Sequence, residues 1–350
     1  MPATTPSLFK RITPQLLILA VVIGLNFLVF PDFFDVSFRN GRLFGNLVDV
    51  FNRGAPVALL CIGMTLVIAT KGIDLSVGAV MAIAGATAAS LVTDGYGWGT
   101  ALLGALATGA LCGFWNGFLV AVLRIQPIVA TLVLMVAGRG IAQLITEGTI
   151  LTFNNEGLIR LGAGTFMGIP TPIVIWLALG TLATIGVRRT ALGMLIESIG
   201  VNEASSRLAG INSRVLLICV YLASGLCAAL AGVIVAADIK GADANNAGLW
   251  LELDAILAVV IGGNSLLGGR FSIVASLIGA LIIQSVNSVI LLSGMPPEFN
   301  LVIKALLILA ILVIQSPRVA HLIYMLRASG PERLPERQRP SVQEPKEDAL

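Results

Sequence analysis

Ten runs rich in Leu, Ile, Val, Ala and Gly recur along the chain, at 15–30, 54–70, 75–92, 98–123, 128–145, 172–187, 215–237, 249–262, 271–292 and 301–315. A helix that crosses hydrocarbon takes about 20 mostly apolar residues, with about 17–25 as the working range. Each run is therefore expected to form one spanning helix, several of them marginal in length. The first run follows Lys10 and Arg11 in the manner of a secretory signal, but no A-x-A-like site precedes Pro31, so it reads as a retained helix. Small residues line two runs: Gly78, Ala82, Gly85, Ala86 and Ala89 on the third, and Gly104, Ala107, Gly109, Gly113 and Gly117 on the fourth. In lipid, such residues let helix backbones approach closely, so these two helices are expected at the centre of a bundle.

The polar stretches set the orientation. With the N-terminus placed in the cytoplasm, fifteen Lys and Arg fall on that side and five on the other, leaving Arg139 and Lys304 within runs. That bias favours ten spans with both termini inside, while counts of eight to eleven stay open. The expected organisation is a cytoplasmic segment at 1–14, a membrane domain at 15–316 with a cytoplasmic loop at 188–214, and a disordered tail at 329–350, where charge and proline alternate.

Composition agrees. Hydrophobic residues make up 57% and charged residues 12%, and the mean hydropathy is +0.94, against about 25% charge in soluble domains. The net charge of +3 does not mark a nucleic-acid binder, because the basic residues sit in short loops and tails. Cys61, Cys112, Cys219 and Cys227 lie inside apolar runs without a C-x-x-C pair, which reads as packing.

Enzyme chemistry finds no footing. His321 is the one histidine, so triads and zinc sites lack partners. None of Lys10, Lys71, Lys240, Lys304 and Lys346 stands in a phosphate-binding G-x-x-x-x-G-K-[ST] loop. No catalytic residue, metal or cofactor is expected, and any ATP must be hydrolysed by a partner.

Transport does find footing. Charges inside a span are costly and usually face a cavity or a partner. Arg139 and Gln143, Gln284 and Asn287, and Asn300 and Lys304 each share a helix face and either line a path or bond neighbouring helices. Two breaks share one spacing, 72–78 with Asp74 and 262–268 with Asn264. They read as interrupted helices of the kind that build transport sites, or as tight turns. Asp74, Asn116, Arg139, Gln284, Asn287 and Lys304 are the path candidates. In the 188–214 loop Asn202 can cap a short helix, Glu203 suits its positive end and Gly210 can close it. That helix is either an interfacial element or a lever for an ATPase. The segment 238–254, with Asp238, Asp243, Glu252, Asp254, Asn245 and Asn246, is expected at an exterior rim, receiving a binding protein or hydroxylated solute unless it is merely solvated. An ion-coupled secondary transporter using Arg139 and Lys304 is the competing class. A membrane transferase would want paired interfacial acids, and D-D-x-x-D is absent.

The strings APVALLCIGMTLVIATKGIDLSVGAVMAIAGAT, GFWNGFLVAVLRIQPIVATLVLMVAGRGIAQLI, ALGMLIESIGVNEASSRLAGIN and LELDAILAVVIGGNSLLGGR resemble the ribose-type sugar permeases of ATP-binding-cassette importers, over about residues 41–315. GRLFG, NRGAPVALL and AADIKGADANNAGLWLELDAI are similar in particular to the galactofuranose-importing branch. The resemblance implies an all-α fold of about ten helices of the type II importer kind, in a bacterial inner membrane. It also implies a monosaccharide substrate, a separate ATPase subunit, a periplasmic sugar-binding protein and a second permease subunit, identical or paralogous, with lipid around them and no nucleic acid. Within the 188–214 loop it implies ATPase coupling, here placed on Glu197, Asn202, Glu203, Arg207 and Gly210. Lys71 departs from the pattern, since a second glycine is expected before Gly72.

Overall fold

The computed structural model describes residues 8–39, 41–294, 296, 299, 301–306 and 309. They fall in two units divided after residue 297. In the second, residues 301–306 and 309 are helical; the remaining residues of the expected tenth span and the 329–350 tail lie outside the described residues.

The first unit is helical almost throughout. Helix α1 (Leu8–Val29) leads through a 3-10 turn (Pro31–Phe34) to a hairpin of β1 (Ser37–Arg39) and β2 (Arg42–Phe44). Then follow α2 (Asn46–Arg53), α3 (Ala55–Ala69), α4 (Val77–Thr93), α5 (Trp98–Ala121) and α6 (Pro127–Ile145). A loop region carries β3 (Leu151–Thr152), α7 (Glu156–Gly162) and the hairpin β4 (Thr165–Phe166) with β5 (Ile169–Pro170). Helix α8 (Thr171–Arg189), the short α9 (Leu192–Val201) and α10 (Glu203–Leu208), and the long α11 (Ser213–Ile239) come next. The unit closes with β6 (Gly241–Ala242), α12 (Leu251–Ile261) and α13 (Ile273–Leu292). Strand β6 pairs antiparallel with β3, so the loop after α11 is tied to the loop after α6.

Each of the first nine apolar runs holds a helix. Length separates them. Helices α1, α5, α6, α8, α11 and α13 are long and apolar enough to cross a membrane, and α2 with α3 makes a seventh span bent by 41°. Helix α12, at 11 residues, reaches only about 16 Å at 1.5 Å per residue, against a hydrocarbon core of about 30 Å. Helix α4, at 17 residues, is also short, because Ser76 starts it late. The described residues thus hold six to seven full-length spans rather than ten. The shortfall lies in the elements that border the two glycine breaks and in the final run.

Helix α11 is the axis of the unit and packs on α3, α4 and α5. Its small residues permit this. A Cβ added at Gly109 of α5 would meet the Gly225 carbonyl oxygen at 2.5 Å, and one at Gly232 would run into Met81 of α4. The stripes on the third and fourth runs therefore mark the close packing expected of them. Burial grades outward, from 78% of the apolar window in α13 and 56% in α11 to 22% in α8 and 11% in α1. An outer shell that exposes Leu17, Leu28, Val136 and Leu182 suits lipid, which imposes no cost on apolar surface.

Candidate functional site

The first glycine break sets an acid inside the bundle. Helix α3 ends when Lys71 turns to φ +64°, and Gly72 passes under Tyr221, whose hydroxyl would lie 2.5 Å from an added Cβ. The chain can then return, and Asp74, 2% exposed, points among three donors. Ser76, the N-cap of α4, donates its Oγ (2.6 Å) and backbone N–H (3.1 Å) to Oδ1, and Ser224 of α11 donates its Oγ to Oδ2 (2.8 Å). Asn116 of α5 donates Nδ2 to the Ser76 Oγ at 2.8 Å, while its own Oδ1, buried, has no partner. The structure thus brings Asp74 and Asn116 into one network linking α4, α5 and α11. A buried carboxylate is tolerated only with such bonds. The Asp74 carboxylate is held by hydrogen bonds from two hydroxyls and a backbone N–H, none of them charged.

The second break is built alike. Asn264, 5% exposed, accepts from the backbone N–H of Ser272, the N-cap of α13, at 2.7 Å, and donates Nδ2 to Val259 O (3.0 Å) and Ser276 Oγ (2.9 Å). Thr65 of α3 donates to the same Ser276 oxygen at 2.7 Å. In both breaks the polar residue two positions after the first glycine bonds the serine that starts the next helix.

The two breaks meet beneath α9. Ala69 O, one of the carbonyls that α3 cannot satisfy internally, accepts from Gly269 N at 2.9 Å. A Cβ on Gly200 of α9 would collide with that same carbonyl and lie 2.5 Å from Gly269 N. Lys71 donates its Nζ to Val201 O, at the C-terminus of α9, at 3.0 Å. Two helices stand in the 188–214 loop where the sequence suggested one. Asn202 closes α9 and caps α10, accepting from Ser205 N at 3.0 Å. Glu203 accepts from Ser213 Oγ at 3.0 Å, and Gly210 turns at φ +86°. Glu197 is half-buried on α9 and Arg207 exposed on α10.

The other path candidates stand apart. Arg139 donates Nη1 to the carbonyls of Ala244 (3.0 Å) and Ala247 (2.6 Å), and Gln143 donates to Asn245 Oδ1 (2.7 Å). Together they hold the turn after β6 against α6. Hydrogen bonds from Asn246 and Asn245 lower the Asp243 carboxyl below its usual range in that turn. Gln284 is buried on α13, with Cγ 3.3 Å from a Cβ added at Gly54, the bend between α2 and α3. Asn287 is half-buried, with its Oδ1 lacking a hydrogen-bond partner. Lys304 lies in the second unit's helical stretch.

Sequence reasoning missed part of this site. Glu252 and Asp254 were expected on an exterior rim, but are 7% and 3% exposed. The Glu252 carboxylate would lie 2.5 Å from a Cβ on Gly78, beside the Gly248 backbone. The left-handed Gly248 and Trp250 turn the chain inward here, and the pairing of Gly78 with Gly248 was the available signal. Ser76, Tyr221 and Ser224 were also missed, since a lone hydroxyl in an apolar run has no periodicity.

The family model described as branched-chain amino acid transport system / permease component matches residues 46–312. The chain is 58% identical to the galactofuranose transporter permease protein YtfT of Escherichia coli K12, over 90% of this chain and 92% of that one. It is 41% identical to the fructose import permease protein FruF of Bifidobacterium longum, over 83% of each. It is 39% identical to the ribose import permease protein RbsC of Escherichia coli K12, over 88% of this chain and 94% of that one. No solved structure matches at a significant level.

Proposed function

We propose, from the premise that this chain belongs to the branched-chain amino acid transport system / permease component family, that it is the membrane-spanning permease subunit of an ATP-driven sugar importer. The carrying observation is the 58% identity, spread over nine-tenths of the chain, to a galactofuranose transporter permease. Galactofuranose is accordingly the proposed substrate, within a monosaccharide class shared with the fructose and ribose permeases. The chain is a permease and not an enzyme, and ATP is hydrolysed by a separate subunit. These relatives favour this reading over an ion-coupled transporter.

The proposed assembly sits in a bacterial inner membrane with both termini in the cytoplasm. Two permease subunits, alike or paralogous, are joined by ATPase subunits at the α9–α10 face and by a periplasmic sugar-binding protein opposite. Ten spans remain the proposed count. Alternating access follows the ATPase stroke, received through Glu197, Asn202, Glu203, Arg207 and Gly210. What supports this is the seat of α9 on both breaks, through Gly200 and Lys71. Asp74, Asn116, Arg139, Gln284, Asn287 and Lys304 are the proposed polar path. Its sites bind sugar weakly, because a solute hydrogen-bonded strongly at every step would not leave.

Uptake of labelled galactofuranose into vesicles holding permease, ATPase and binding protein tests the reading. Vanadate-sensitive uptake that needs all three is expected, whereas accumulation driven by an ion gradient with no ATPase present would overturn it. In the same vesicles Lys304→Met is expected to lower uptake on the order of tenfold, the worth of one charged hydrogen bond. Unchanged uptake removes Lys304 from the path.

A further inference from the structure

A cavity of about 380 Å3 opens between the first glycine break, the end of α5, the start of α6 and α10. That size lies within the roughly 300–1,000 Å3 of small-molecule sites. Its wall carries Lys71, Arg124 and Arg207 against the single acid Glu203. Glu203 already accepts a bond from Ser213. Lys71 spends one of its three donors on Val201. Neither guanidinium has a hydrogen-bond or ion-pair partner among the described residues, although an arginine head offers five donors.

Two further observations point to an anion. Helix α6, 19 residues long, begins at this cavity with Gln126 and Pro127 in the wall, and no side chain caps it. The positive end of its dipole therefore borders the space, while Pro127 itself offers no N–H. Tyr221, fully buried, reaches the inner wall with a hydroxyl that has no partner. A donor without an acceptor at the bottom of a cationic cavity matches one more oxygen of a bound group.

We propose that this cavity is a binding site for an organic phosphate. Arg124 and Arg207 grip the phosphoryl oxygens from the rim, the start of α6 faces them, and Tyr221 donates from below. Two sources carry this chemistry: a soluble sugar phosphate, which phosphorylation of an imported sugar would produce, and the headgroup of an anionic lipid, which basic pockets between helices also accept. Because α10 and the Lys71 turn both line it, an occupant touches the element proposed to receive the ATPase stroke and the break it is proposed to move. That regulatory meaning rests on the proposed function; the binding does not.

Full-length protein in phosphatidylcholine nanodiscs, titrated calorimetrically with galactose 6-phosphate and with galactose, tests it. Saturable binding of the phosphate alone is expected, weakened about tenfold by Arg124→Gln and also by Tyr221→Phe, and unaltered by Arg189→Gln on the same face. If the source is lipid, galactose 6-phosphate does not bind. Native mass spectrometry of protein from phosphatidylglycerol nanodiscs then retains a lipid that Arg124→Gln and Tyr221→Phe both lose. Binding of neither, or binding equal in wild type and both variants, overturns the proposal. The readout needs no ATP turnover, so it can fail while vanadate-sensitive uptake stands, and stand while that uptake fails.

Discussion

Lys71 shows how a single residue serves two opposed demands. Its left-handed φ of +64° costs a residue with a Cβ about 1–2 kcal/mol, which is why glycine is the natural expectation there. The ammonium recovers part of this by capping the Val201 carbonyl at 3.0 Å. Lys71→Ala keeps the strain and loses the bond, whereas Lys71→Gly loses both. The glycine variant is therefore expected to be more stable than the alanine variant by about 1 kcal/mol, read as the difference in thermal midpoints in detergent. At Asp74, Ser224→Ala removes the one donor to Oδ2 and is expected to destabilise by about 1–3 kcal/mol, measured by the same melt; no change would mean that water reaches that oxygen. Hydrogen bonds from Asn246 and Asn245 to its charged form hold the Asp243 carboxyl below the usual aspartate range. A depressed carboxyl stabilises its turn above its unfolded pKa of about 3.9 and loses that contribution as the pH falls through the folded value. Hydrogen-exchange protection at Asn245 and Asn246, corrected for intrinsic rate, is thus expected to drop on acidification below about pH 4. Asp243→Asn should abolish that dependence. The sequence made Asp74 and Asn116 visible as polar residues in apolar surroundings. Their connection through Ser76 was invisible, because it joins positions 40 residues apart.

Among elements, the crossing of α5 and α11 depends on what is missing from them. Gly109→Leu would place a side chain against the Gly225 backbone, which has no rotamer with which to yield. Overpacking of this kind costs about 1–3 kcal/mol even where side chains can adjust, so a larger loss and little recoverable folded protein are expected from size-exclusion of solubilised membranes. The sequence showed one side of this interface, the small-residue stripe on α5, because such a stripe has a helical period, but not that α11 packs against it. It revealed the glycine breaks as well, through their shared spacing. It did not reveal that α12 is only 11 residues long. The run 249–262 is apolar apart from Glu252 and Asp254, and its entry, Gly248 and Trp250 in left-handed conformation, packs Gly248 against the Gly78 backbone of α4. Helix α9 was lost for a related reason: LGMLIESIGV reads as loop beside a stronger capping signal, yet contact with Ala69 makes it a helix with a seat.

At the scale of the molecule, hydropathy located nine helices, of which six or seven among the described residues are long and apolar enough to run the full depth of a bilayer. An apolar window records that a segment avoids water, not whether lipid or other protein replaces it. The outer helices α1 and α6 are mostly exposed and α13 is enclosed by protein, yet all three are alike in hydropathy. The same limit hid Glu252 and Asp254, whose burial is decided by the fold and not by their neighbours in sequence. The single carbonyl of Ala69, bonded to Gly269 and roofed by Gly200, has a kinetic corollary. Three chain segments far apart in sequence share one point of attachment, so none can shift by an ångström without leaving a polar group bare or striking its neighbour. Fluorophores reporting on positions 71 and 268 should consequently record one synchronous jump with a common dwell time, in place of two staggered steps.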